Sequence, residues 1–210
     1  MRYFDPPRPM ARDRFLGGLI QGLRVQTVAV IGIPPTETLL ALAKAVAGRR
    51  RRGPAMHVFH WHDMSRKQPM MSDIRHRWHG VRDGQEGTPY RKVPFNEAVI
   101  FHDLAESASA DPRQRWRKDV EGLAVVQPEL RFGLVVHCGA AYTPTTIAGD
   151  LDVLLPLMAD DVILLLLHPN DSASAKFMAR RSADGWNCVV LAGRALLQRN
   201  QFVPPMVPKE

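Results

Sequence analysis

The run Val162 to Leu167, VILLLL, constrains this chain more than any other stretch. A strand with one wet face alternates apolar and polar residues. A strand that is apolar at every position is buried on both faces, as in a parallel sheet covered by helices. The run is far shorter than the ~18 residues needed to span a membrane. Upstream lies a second stretch of the same character, RFGLVVHCG from Arg131, which stops at His137 and Cys138. Between the two come a polar turn, AAYTPTT, and IAGDLDVLLPLMA, whose apolar residues recur at helical spacing. Arg131 to Asp171 therefore reads as strand, helix, strand, and the two strands stop at His137 and His168. In open α/β sheets the carboxyl edge of the strands is where ligands bind.

The rest of the chain extends this pattern. Phe15, Leu16, Leu19, Ile20 and Leu23 repeat at helical spacing near the N-terminus. VQTVAVIGI, residues 25–33, is a β-branched first strand. PPTETLLALAKAV follows as a helix, with Pro34, Pro35 and Thr36 at its start and Glu37 in its first turn, where a carboxylate suits the helix dipole. Gly48 and Arg49 to Arg52 mark its end. AMHVFHWHD, residues 55–63, is a second strand, and EAVIFHDLAE, residues 97–106, a third. Residues 64–96 show no sustained periodicity; a stretch of that length reads as a lid or substrate-binding insertion, with a short helix over Ser72 to Trp78. Asp111 and Pro112 open another helix as cap and first residue. SASAKFMARRSADG is a last helix closed by Gly185, and WNCVVLA and ALLQRN pair as a hairpin around Gly193 and Arg194. The expected fold is α/β: a Rossmann-like, doubly wound, mostly parallel seven-stranded sheet with an antiparallel C-terminal hairpin strand, built as a single domain over residues 1–210.

Composition excludes little. The hydrophobic fraction of 45% suits a soluble globular protein with a real core. The N-terminus carries no apolar stretch of the secretory kind. Cys138 and Cys188 form neither a disulfide framework nor a zinc pattern, so a reducing, cytoplasmic location is expected, with no membrane. The net charge of +7 is carried mostly by arginine. Without aromatic residues interleaved among the basic ones, it reads as a solvated surface, and nucleic acid is not a favoured partner.

The chemistry collects at strand ends. His60, His62, His102, His137 and His168 fall there, with Asp63, Asp103, Asp171 and Cys138 beside them. Imidazole, thiolate and carboxylate would suit a transition metal. None of them has metal-ligand spacing, so a divalent metal is possible and not favoured. His60 also reads as a core residue. His137 and His168, on neighbouring strands, are the candidate general bases. Tyr142 and Asp171 are candidates to orient a substrate.

These residues resemble the class I S-adenosylmethionine-dependent methyltransferases, and within them the small bacterial O-methyltransferases related to the cephalosporin-hydroxylase group. GIPPTETLLALA lies where that family has a glycine turn and an apolar helix. Asp63 ends the second strand, where the family's acid meets the ribose, and HDLAE lies where a later acid approaches the adenine. Tyr142, Asp150 and Leu151 match the pattern after the fourth strand, and LLLLHPND the one after the fifth. The resemblance implies S-adenosylmethionine bound over Gly32, Thr36, Asp63 and Asp103, and methyl transfer to a hydroxyl of a small molecule or sugar. In the first turn only Gly32 remains among prolines, His137 stands where the family has an aspartate, and Ala140 where it has a histidine. These departures leave open a non-catalytic binding or partner subunit, or homo-oligomer, on the same fold, and a metal-dependent enzyme built on the His and Asp cluster.

Overall fold

The computed structural model describes residues 16–18, 20, 22–23, 25–47, 54–60, 98–103, 112–139, 146–191 and 194–199. The strands are β1 (Val28–Ile31), β2 (Met56–His60), β3 (Val99–Asp103), β4 (Phe132–His137), β5 (Met158–Leu166), β6 (Trp186–Leu191) and β7 (Arg194–Arg199). The helices are α1 (Thr36–Val46), α2 (Pro112–Val126), α3 (Ile147–Leu154) and α4 (Ser172–Ala183). The strands form one seven-stranded sheet in the order β3-β2-β1-β4-β5-β7-β6. β1 to β5 run parallel, and β7 is antiparallel to both of its neighbours, β5 and β6.

Alternation of side chains along the strands divides the core in two. On one face Val28, Val30, Val58, Leu134, Val136 and Leu165 pack with Leu39, Leu42 and Val46 of α1 and with the helical residues Leu16 and Ile20. On the other, Ala29, Ile31, Phe59, Val135, Leu164 and Leu166 pack with Trp116 and Val120 of α2, Leu151 and Leu154 of α3, and Phe177 of α4. Every residue of β1 and of β2 is buried, as a strand covered on both faces requires.

Local chemistry sets the boundaries. Thr146 caps α3 by accepting the Gly149 N–H at 3.1 Å. The helical pattern of IAGDLDVLLPLMA breaks earlier than its periodicity suggests. α3 ends at Leu154, Leu155 to Leu157 form a 3-10 turn around Pro156, and β5 begins at Met158. Proline has no N–H to continue an α-helix, which accounts for the change. Gly185 closes α4 with φ 82°, a left-handed value suited to glycine. Arg194, expected in the hairpin turn, is instead the first residue of β7 and pairs with Leu191. Leu23, expected in the N-terminal apolar stripe, is exposed. The insertion at 64–96, the cap at Asp111, and Asp63, His62, Ala140 and Tyr142 lie outside the described residues.

Candidate functional site

Sheet order locates the site. From β1 the chain proceeds to β2 and β3 on one side; from β4 it proceeds to β5 on the other. β1 and β4 are adjacent, so the winding reverses between them, the place where open α/β sheets carry a ligand crevice at the strands' carboxyl ends. The edge of that crevice is laced by backbone. Gly32 N–H donates to Phe59 O at 2.8 Å, Cys138 N–H to Ile31 O at 3.0 Å, and Leu167 N–H to His137 O at 3.1 Å. The chain leaves β1 through Gly32 at φ 88° and β4 through Gly139 at φ 116°. Both angles are left-handed, open to glycine and costly for other residues. Thr36 then opens α1, with Pro35 before it and Leu39 N–H donating back to Pro35 O at 3.0 Å.

His137 ends β4 and is buried. Its Nδ1 accepts the Gly139 N–H at 3.0 Å. That nitrogen therefore carries no proton, and Nε2–H donates to Asp150 Oδ2 at 2.9 Å. Asp150 lies on α3 and is fully buried. Its position was readable: Ile147, Leu151 and Leu154 set the apolar stripe of α3, and Asp150 falls on that stripe while Asp152 faces away, exposed. His168 follows β5 and is exposed. Its ring lies against Gly139, where an added Cβ would come within 3.3 Å of His168 Cδ2. His137 and His168 thus meet around Gly139, as neighbouring strands allow.

Asp171, expected to orient substrate, caps α4: Oδ1 accepts the Ser174 N–H at 2.7 Å and Oδ2 the Ser174 hydroxyl at 2.9 Å. Asp103 ends β3 and pairs in register with His60, two strands from β1 on the β2 side. The strand-end histidines therefore divide into two groups.

The second group is on β2 and β3. His57 Nδ1 and His102 Nε2 share a hydrogen bond of 2.9 Å, with the Phe59 ring 4.6 Å from that of His102. Burial first, and then the charge of His60, lower the His102 pKa to about 4. His57 escaped the sequence reading because it lies mid-strand rather than at the strand end. His60 is buried on the other face with its ring edge-on to Phe101. Among the described residues no three His, Cys, Asp or Glu side chains group as a metal site. Cys138 is buried, and burial pushes its thiol far above the ordinary range, so it is no nucleophile at neutral pH. Among the described residues no helix is long and apolar enough to cross a membrane.

No protein-family model and no curated protein matches the sequence. Solved structures do match in three dimensions. A methyltransferase from Geobacter sulfurreducens superposes with a TM-score of 0.56 at 13% identity, covering 89% of this chain and 77% of that one. An O-methyltransferase from Bacillus cereus, solved in complex with SAH, gives 0.56 at 11% identity over 95% of this chain and 84% of its own. The chain has the methyltransferase fold. A third structure with this fold is a Streptomyces achromogenes O-methyltransferase involved in tomaymycin synthesis, in complex with SAM, with a TM-score of 0.52 at 11% identity over 90% of this chain and 80% of that one. The similarity to class I methyltransferases read from the sequence is therefore present in the fold, at low identity.

Proposed function

We propose that the chain is an S-adenosylmethionine-dependent methyltransferase acting on a hydroxyl of a small molecule or sugar. The observation that carries this reading is Gly32. It ends the central strand beside the β1–β4 reversal, and its φ of 88° brings bare backbone to the crevice edge. Glycine at this turn adds no Cβ of its own against a nucleoside, so the residue type fits the cofactor. Neighbours of the same fold are solved with SAH and with SAM.

In this reading Gly32 and Thr36 line the cofactor's amino-acid end, and Asp63 and Asp103 its ribose and adenine. Bound there, S-adenosylmethionine supplies an electrophilic methyl group. His168 is the exposed imidazole at the acceptor side, placed to take the proton of the hydroxyl. Tyr142 is retained as the residue orienting the acceptor. Methyl transfer is an in-line displacement, so alignment carries most of the catalysis and one base is enough.

A second reading has one observation behind it. Pro34 and Pro35 remove two N–H donors between Gly32 and α1. A turn so stiffened suits a non-catalytic subunit that has kept the fold without the cofactor. Calorimetric titration of the folded chain with S-adenosylmethionine and S-adenosylhomocysteine separates the two. Heat with both, lost in Gly32→Val, is the expected result. No heat with either refutes the enzyme, and a stable complex with another protein would then identify the partner-subunit form.

A further inference from the structure

Asp150 is a carboxylate with no solvent exposure on the apolar face of α3. Burying a charge is costly unless polar partners compensate it, and one of its partners is the Nε2–H of His137. The connection continues outward. Through Nδ1, His137 receives the N–H of Gly139. Through its bare α-carbon and its φ of 116°, Gly139 receives the ring of His168. Three consecutive contacts thus lead from the interior of α3 to an exposed imidazole at the carboxyl edge of the sheet.

An imidazole that donates from one nitrogen and accepts at the other has no site left for a substrate proton. His137 is also buried, so a substrate cannot reach it. We infer that Asp150 and His137 are positioning residues: they fix the tautomer of the His137 ring, hold the Gly139 amide, and through Gly139 seat the His168 ring. The inference rests on the reading of His168 as the acceptor-side group, while the geometry it asserts is measurable without turnover. It also gives the buried charge a purpose, since a conserved-volume apolar residue at Asp150 would serve packing alone.

The test is nuclear magnetic resonance of histidine ring and glycine amide signals in the labelled full chain. In the parent protein His137 should show the Nε2–H tautomer, and the Gly139 amide proton should lie downfield. Asp150→Ala is expected to abolish both signatures and to shift the His168 ring signals. Asp150→Asn keeps an oxygen that can accept the Nε2–H and is expected to leave His168 in place. Gly139→Ala keeps the Asp150–His137 bond and is expected to displace His168 on its own, because its Cβ would meet the ring. Val153→Ala, a cavity in the same helix, is expected to lower the melting temperature and leave the His168 signals unmoved. The inference is overturned if His168 is unchanged in Asp150→Ala or in Gly139→Ala, or if Val153→Ala moves it as far. Should Asp150→Ala fail to fold, Gly139→Ala and Asp150→Asn decide. Titration of the same samples with S-adenosylhomocysteine keeps the two ideas apart: absent nucleotide binding in the parent protein refutes the enzyme reading, whereas unmoved His168 signals refute the positioning role.

Discussion

His102 shows what a partly wet, mostly apolar setting does to an imidazole. It hydrogen-bonds His57 and lies against the Phe59 ring, and its pKa falls from 6.5 to about 4. Protonation would place a positive charge beside His57 and near His60 in low dielectric. In the unfolded chain the same group takes up its proton near 6.5. The unfolded state therefore binds more protons across that window, and stability falls as the pH is lowered through it. The contribution is fully present above the unfolded value and is lost toward the folded one, and it is on the order of 3 kcal/mol at most, less whatever solvent screens. Urea midpoints measured from about pH 7 down to about pH 4 should decline, and His102→Gln should flatten that decline. An equal slope in the variant would assign the effect to other groups. The sequence showed which histidines end strands, but not their neighbours. The pairing of His57 with His102 depends on the β2–β3 register, and that of His137 with Asp150 on how α3 crosses β4. Neither is a spacing within one element.

Elements were more legible than pairings, because each follows from a short range of residues. β1, β4 and the second half of β5 are apolar at consecutive positions and buried on both faces, as is β2 despite its two histidines. Boundaries failed where one residue overrode periodicity, as Pro156 does after α3. Asp171, expected to orient substrate, also has a structural task. It follows β5, as a substrate-orienting acid would, yet both of its oxygens engage Ser174 at the start of α4. Loss of an N-cap costs about 1 kcal/mol, so Asp171→Ala should lower stability by that amount and Asp171→Asn by much less. Thermal denaturation measures the difference. Nucleotide binding should not change in either variant, since the cap follows β5, two strands from β1 and Gly32. A loss of binding at unchanged stability would return Asp171 to the site.

At the scale of the molecule, the alternation of strands and helices specified a doubly wound sheet, and its closing hairpin was visible in composition. Which hairpin strand would join β5 was not. The structure inserts β7, whose Ala195 and Leu197 are buried, and leaves β6 at the edge with Val189 and Val190 exposed. Both strands are apolar enough to be interior, so composition alone does not choose between them. The arrangement has a dynamic consequence. β1 and β4 have paired strands on both sides and helices on both faces, whereas among the described residues β3 and β6 are the end strands of the sheet, and Ile100 on β3 is exposed. An edge strand can detach without disturbing the core, while a central one opens only when the sheet does. Native-state hydrogen exchange should therefore find the bonded amides of β1 and β4 opening near the global unfolding free energy. Those of β3 and β6 should exchange at least ~10-fold faster. Uniform protection across the sheet would contradict this gradient. The proposed site lies at the slow end of it. Gly32, His137 and Gly139 lie at the ends of β1 and β4, so the left-handed angles of the two glycines are held by the part of the sheet least able to relax.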